Sequence, residues 1–316
     1  MRIIGPDELV FGVDDLDACR QFLLDSGLIE AEWSAAGGTF VGLDNTGITV
    51  RARDDASLPA ALASGATIRQ TIYGCEDQAT VDAIETELGR DREVVRSPDG
   101  SITCSDDVGI ALKFQVTKRK PFTAPPELVN SPGAAPARGF NVVGANEDAV
   151  AVPRTLSHLV YFSPDMDKQE AFYVERLRFV VTDRFTDVGP FLRPAACTDH
   201  HTLFMVQTPP HMQGMEHFAF HMQGPTELML AGTRMLNKGW ESFWGPGRHK
   251  FGSNWFWYFN CPLMTHFEFD ADMDLHDDEW VPRETDVGAP SAQMFLFEGV
   301  EKWFPSGPPP EGEDHH

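Results

Sequence analysis

No histidine precedes His158 in this chain of 316 residues, and all eleven lie at or beyond that position. Cysteine is sparse and scattered. Cys19, Cys75, Cys104, Cys197 and Cys261 form no Cys-x-x-Cys pair and are odd in number. That excludes a disulfide framework or a zinc ribbon and suits a reducing compartment. Positive charge is short as well: 25 Lys and Arg stand against 48 Asp and Glu, a formal charge of −23. Nucleic acid and anionic membrane surfaces both call for clustered Lys and Arg, so neither is an expected partner. No apolar run approaches the ~20 residues of a membrane span. The opening MRIIGPDELVFGVDD has no basic stretch followed by an apolar one, so no secretion signal is read there. A soluble, cytoplasmic protein is expected.

What is present suits an ordinary globular protein. Apolar residues make up 42% and charged residues 23% of the chain, and its length suggests two domain-sized units. Residues 1–117 read as a compact α+β unit. ELVFGV is a short strand, and DDLDACRQFLLDSGLI a helix starting at an Asp and stopping near Gly27. TFVGL and GITVRAR follow as strands, then TIRQTIYGC as a strand, DQATVDAIETELGR as a helix and SPDGSITCSDDVGIALKFQV as a strand pair. The expected order is β-α-β-β, twice. Residues 118–154, dense in Pro, Ala and Gly, mark a linker or an extended wrap. Residues 155–285 form a second unit, and residues 286–316 an extension and tail whose terminal His315 and His316 are expected to be disordered.

The second unit repeats the pattern of the first. LSHLVYFSPDMDKQEAFYVERLRF and EHFAFHMQGPTELMLAGTRMLNKGW each read as strand then helix, and WFWYFNCPLMTHFEFD as a strand pair. On this alignment His158 falls on Glu8, His217 on Gln70 and Glu268 on Lys113. The first copy thus has the scaffold without the ligand set, and Lys113 would repel a cation. Period-two alternation makes His158, His217 and Glu268 each project from one face of a sheet. Two imidazoles and one carboxylate, one from each of three strands, form the facial triad that suits Fe(II), with Mn(II) the alternative. A carboxylate between Phe267 and Phe269 is costly to bury without a cation or partner. His266, two residues before Glu268 on the same face, is a rival ligand, and His221 shares the face of His217. His211, after Pro209 and Pro210, is expected at the surface. Of DADMDLHDDEW, only a solvated face is expected, because the glycine and glutamate of a calcium loop are missing.

These residues carry a family likeness. The chain resembles the type I extradiol ring-cleaving dioxygenases of the vicinal oxygen chelate superfamily over most of its length. DHHTLFMVQ resembles the segment bearing an acid–base histidine, here His201; GPGRH resembles that bearing a second active-site histidine, here His249. FWYFNCP…FEF matches a Tyr followed ten residues later by the Glu ligand, here Tyr258 and Glu268. Two features depart from the pattern. Phe251 and Gly252 stand where an Asp often assists substrate binding, and Asn260-Cys261-Pro262-Leu263 replaces an Asp-Pro-x-Gly turn.

The resemblance implies an α+β fold of two domains, each built from paired βαβββ modules in open barrels. It also implies a homo-oligomer acting on a small aromatic diol and O2, with Tyr258 and His249 hydrogen-bonding the substrate and His201 as base, then acid. Only one of His200 and His201 can face the site if both lie on a strand, and His200 is expected to be exposed or to stand behind His201. Phe185, Phe191, Met205, Trp244 and Trp257 are candidates for an apolar pocket around the ring. Two other functions use the same scaffold: a metal-dependent isomerase or lyase, and a non-catalytic binder of aromatic ligands.

Overall fold

The computed structural model describes residues 1–145 and 149–297; His315 and His316 lie outside them. The N-terminal half folds as two βαβββ modules. The first comprises β1 (Ile3–Val13), α1 (Leu16–Asp25), β2 (Ile29–Ser34), β3 (Gly37–Val41) and β4 (Gly47–Ala52). The second comprises β5 (Ile68–Cys75), α2 (Gln78–Leu88), β6 (Val95–Arg96), β7 (Ile102–Ser105) and β8 (Ala111–Val116). Their sheet runs β2-β3-β4-β1-β5-β8-β7-β6. Each module thus has one strand more than the alternation indicates. β2, IEAEWS, is an edge strand whose side chains are exposed or half-buried, and β6 is two residues long; neither buries the alternate apolar face that makes a strand readable.

The C-terminal half repeats the plan. β9 (Thr155–Ser163), α3 (Met166–Ala171), β10 (Phe179–Thr186), β11 (Gly189–Pro194) and β12 (Leu203–Gln207) form one module. β13 (Gly214–His221), α4 (Pro225–Asn237), β14 (Ser242–His249), β15 (Trp255–Cys261) and β16 (Thr265–Ala271) form the other. β17 (Arg283–Asp286), α5 (Ala289–Ala292) and β18 (Gln293–Leu296) follow. The sheet order is β17-β10-β11-β12-β9-β13-β16-β15-β14-β18. α1, α2 and α3 start where acidic caps accept otherwise unpaired N–H groups: Asp15 from Ala18, Asp77 from Thr80 and Asp165 from Lys168.

The two copies superimpose in register. His217 lies opposite Val160, two residues past His158, as Gln70 lies opposite Val10, two past Glu8. Ala219 lies opposite Glu268, as Ile72 lies opposite Lys113. In the first copy Glu8 is neutralised by Lys118, and Lys113 lies 3.7 Å from Asp99, so each charge has a partner outside the three positions.

Alternation divides the faces of the second copy. Phe218 and Phe267 turn to the N-terminal half, where Phe218 meets Phe11 at 5.6 Å and Phe267 meets Phe22 at 5.6 Å between ring centroids. One buried cluster runs through both halves. The opposite face carries His217 and Glu268. Residues 118–145 and 149–154 hold no helix or strand and run along both halves: Lys120 N donates to Asp44 O, and Gln223 Nε2 and Arg154 Nη2 both donate to Pro125 O. Within the C-terminal extension, residues 289–296 form α5 and β18, and β18 pairs with β14.

Candidate metal centre and its cavity

Three strands carry the candidate ligands side by side, β9, β13 and β16, and two irregularities aim them. Met215 pairs with Tyr161 but His217 with Val160, which leaves Glu216 as an extra residue. Further along, Phe218 pairs with Leu159 but Phe220 with Leu156, so Ser157 and His158 together oppose Ala219. Both are β-bulges, which turn neighbouring side chains toward one side. The first brings the Glu216 carboxylate onto His217 Nδ1; the second sets Ser157 Oγ 2.9 Å from His158 Nδ1. Ser157 donates to Asp270 Oδ2 at 2.9 Å, so it accepts from His158 Nδ1–H and leaves Nε2 as the lone pair.

The result is convergence. Ligand atoms of His158, His217 and Glu268 lie within 4.8 Å of one another, all three residues buried. The two Nε2 atoms are 3.3 Å apart, and Glu268 Oε2 is 2.9 Å from one and 3.3 Å from the other. Neither Glu268 oxygen accepts a hydrogen bond of usable geometry, although the residue is wholly buried. Burial alone would raise its carboxyl, but His158, His217 and His249 outweigh that and hold it well below the carboxylate range. Burial opposes charge on His217, yet Glu216 and Glu268 push its imidazole up to about 10. A site that calls for a proton among carboxylates is one a divalent cation can occupy instead. An orphaned buried carboxylate with two oriented imidazoles fits such an ion.

His266 is not part of this set. Its Nδ1 lies 2.8 Å from Glu216 Oε1 and its ring stacks on Phe243 at 3.7 Å. His221 Nδ1 lies 2.9 Å from Asp270. His211 is exposed in a short turn, as expected.

Beside the triad, His249 donates from Nδ1 to Ala292 O at 2.9 Å, and its Nε2 accepts from the Tyr258 hydroxyl at 3.1 Å. Burial and the nearby Glu268 carboxylate keep Tyr258 a neutral phenol, its pKa well above the ordinary value. His200 and His201 precede β12 rather than lying on it, so both can turn inward, and both are buried. His200 is therefore not exposed. Its Nε2 donates to Asp183 Oδ2 at 2.8 Å, and its Nδ1 accepts from His201 Nδ1 at 2.9 Å. That chain leaves His201 Nε2 bare, with its ring 4.3 Å from that of His158. Burial holds His201 well below its ordinary pKa, hence neutral. Gly252, at φ +76°, allows the turn after β14 to pass His200; a Cβ there would sit 3.2 Å from His200 Nδ1.

His158, His217, Glu216, His201, His249 and Tyr258 line a cavity of about 270 Å³. Phe185, Phe191 and Trp244 are on its wall as expected, joined by Phe204, Phe243 and Phe251. Met205 and Trp257 are not. Met205 is wholly buried in the main core, because its neighbour Phe204 takes the cavity side of β12. Trp257, one residue before Tyr258, points the other way and packs against Gly232 of α4. Sequence reasoning also missed Glu216, Asp183 and Asn254. Asn254 is 1% exposed, lines the cavity, and has neither side-chain polar atom hydrogen-bonded.

Residues 155–269, which carry all three ligands, match the model of the Glyoxalase/Bleomycin resistance protein/Dioxygenase superfamily. That segment of the chain belongs to the superfamily. Metapyrocatechase 2 of Cupriavidus necator is 32% identical over 211 residues, 67% of this chain and 60% of the relative, so the chain spans under two thirds of that relative's length. Among solved superfamily folds, the Mn(II)-bound glyoxalase of Novosphingobium aromaticivorans gives a TM-score of 0.71 at 22% identity, covering 92% of this chain and 90% of the other. The 2,3-dioxygenase LapB of Pseudomonas sp. KL28 gives 0.70 at 17%, covering 90% and 98%. Homoprotocatechuate 2,3-dioxygenase of Arthrobacter globiformis gives 0.69 at 18%, covering 92% and 87%. These likenesses establish the vicinal oxygen chelate fold. No helix among the described residues is long and apolar enough to cross a membrane.

Proposed function

We propose that the chain is an extradiol dioxygenase, which opens a catechol ring outside its two hydroxyls and inserts both atoms of O2. The observation that carries this reading is the meeting of His158, His217 and Glu268 at an aromatic-walled cavity that also holds His201, His249 and Tyr258. The named relative, a metapyrocatechase, supports it. On this reading residues 1–117 are a scaffold domain, residues 155–285 the catalytic domain, and the protein is a soluble homo-oligomer.

His158, His217 and Glu268 would hold Fe(II), with Mn(II) the alternative. Bound there, the cation would acidify the diol and give electrons a path to O2. The chain's own groups do the rest. His201 Nε2 is the one bare imidazole nitrogen of the Asp183–His200–His201 chain, so it takes a proton from a substrate hydroxyl. The imidazolium so formed is stabilised through His200 by Asp183, and later returns the proton to the oxygen that departs in O–O cleavage. Tyr258 can turn its O–H from His249 to a substrate oxygen and donate to the developing anion, while His249, its Nδ1–H held by Ala292 O, presents Nε2 to accept from a substrate hydroxyl. The phenylalanine wall holds the ring and excludes water.

Anaerobic loading with Fe(II), followed by oxygen uptake and absorbance across a catechol panel, tests the reading. One O2 consumed per catechol, with a yellow ring-opened product, is expected. Metal bound stoichiometrically with no oxygen uptake on any catechol would transfer the site to isomerase or lyase chemistry.

A further inference from the structure

We infer that the site selects uncharged catechols bearing an apolar substituent and rejects carboxylated ones; this rests on the extradiol reading above. Among the described residues, no Lys or Arg lines the cavity. Beyond the triad and its neighbours, the wall is a block of four rings. Phe191 stacks on Phe204 at 4.1 Å, and Phe185 stacks on Phe251 at 5.1 Å. The block abuts His201, whose ring is 5.1 Å from Phe191. A substituent on a ring held at His201 therefore meets carbon.

The cation of Arg283 stands just outside. The Arg283 guanidinium lies 4.7 Å over the Phe251 ring. Phe251 screens it, and it is already engaged: its Nε is 3.1 Å from both oxygens of the buried Asp183. A substrate carboxylate would find no Lys or Arg on the cavity wall and would enter near Glu216 and Glu268. The spare polar group on the wall is the Asn254 amide, which can serve a hydroxyl but cannot neutralise a charge. Desolvating a carboxylate without a cation is strongly unfavourable. Size points the same way. A cavity of about 150 Å³ accommodates benzene, so about 270 Å³ leaves room beyond one ring.

Matched pairs test the inference: 4-ethylcatechol against 3,4-dihydroxyphenylacetate, and 3-propylcatechol against 3-(2,3-dihydroxyphenyl)propionate. Anaerobic calorimetry on Mn(II)-loaded protein reads binding, and aerobic turnover of Fe(II)-loaded protein reads kcat/KM. The neutral member of each pair is expected to bind at least 30-fold more tightly and to react at least 100-fold faster. Phe204→Lys, at a half-buried position, should narrow both ratios at least tenfold; Phe251→Lys repeats the test on the second stack should the first variant fail to fold. Carboxylated members that bind equally well or better would overturn the selectivity. Preferential binding of neutral catechols without oxygen uptake would instead sink the dioxygenase reading and leave the selectivity standing.

Discussion

At the scale of single residues, what separates ligand from bystander is where the second nitrogen goes. His158 and His217 each commit Nδ1, to Ser157 and Glu216, and direct Nε2 at the shared point. His266 commits Nδ1 to the same Glu216 but lies under Phe243 at the edge of the site. Glu268→Gln is therefore expected to lose bound metal almost completely in elemental analysis, while His266→Ala retains at least half. Metal retained stoichiometrically by Glu268→Gln would return His266 to the ligand set. A second residue-scale prediction concerns the base. His200→Leu removes the acceptor that fixes the His201 tautomer, so kcat should fall about 10²- to 10⁴-fold. KM for catechol and metal content should stay within threefold of wild type. His200→Gln can accept from His201 and donate to Asp183, and should recover at least tenfold of the loss. Equal losses in both variants would mean that His200 serves packing alone.

At the scale of elements, the site depends on two bulges that the sequence pattern cannot display. Strict alternation sends Glu216 away from His217; the extra residue in β13 brings them together. Thr265 holds that bulge, donating from Oγ1 to Glu216 O at 2.8 Å and lying 3.2 Å from Met215 O. Thr265→Val should cost about 1 kcal/mol in chemical denaturation and weaken metal affinity roughly tenfold through a misplaced Glu216. Unchanged metal affinity would detach the bulge from the site. The same geometry explains what was legible. His158, His217 and Glu268 stand out because each interrupts an apolar strand, and the register bears out their pairing with Glu8, Gln70 and Lys113. Side-chain direction one residue away was not legible. Met205 and Phe204 are both apolar, and Trp257 and Tyr258 are both aromatic, so nothing in composition says which faces the cavity. His200 defeats alternation because it lies before β12 begins, Asp183 takes its role from a contact 17 positions away that no local pattern records, and Asn254 takes its role from the cavity it lines.

At the scale of the whole molecule, the ligand-free half supports the other through buried polar as well as apolar contacts. Asp106, in the turn between β7 and β8, is 5% exposed and accepts from Val108 N at 3.1 Å and Ile110 N at 2.8 Å. From the other half, Gln169 on α3 donates to it at 2.7 Å. Burial pushes the Asp106 carboxyl up to about 6 despite these donors. Its folded value thus exceeds the unfolded one of about 3.9. The folded state therefore binds a proton more tightly than the unfolded chain. This contribution is complete below about pH 4 and is lost as pH rises through 6. Two units correspond to on the order of 3 kcal/mol. Asp106→Asn should remove that loss. Its Oδ1 can still accept from Val108 and Ile110, and its amide can donate to Gln169 Oε1, which has no partner in the native protein. Urea denaturation of both proteins at intervals from pH 4.5 to 7.5 should give stabilities that diverge with rising pH, the variant ahead above pH 6. A constant difference across that range would mean that Asp106 is already ionised in the folded protein, and that the contact between the halves carries a charge rather than a proton.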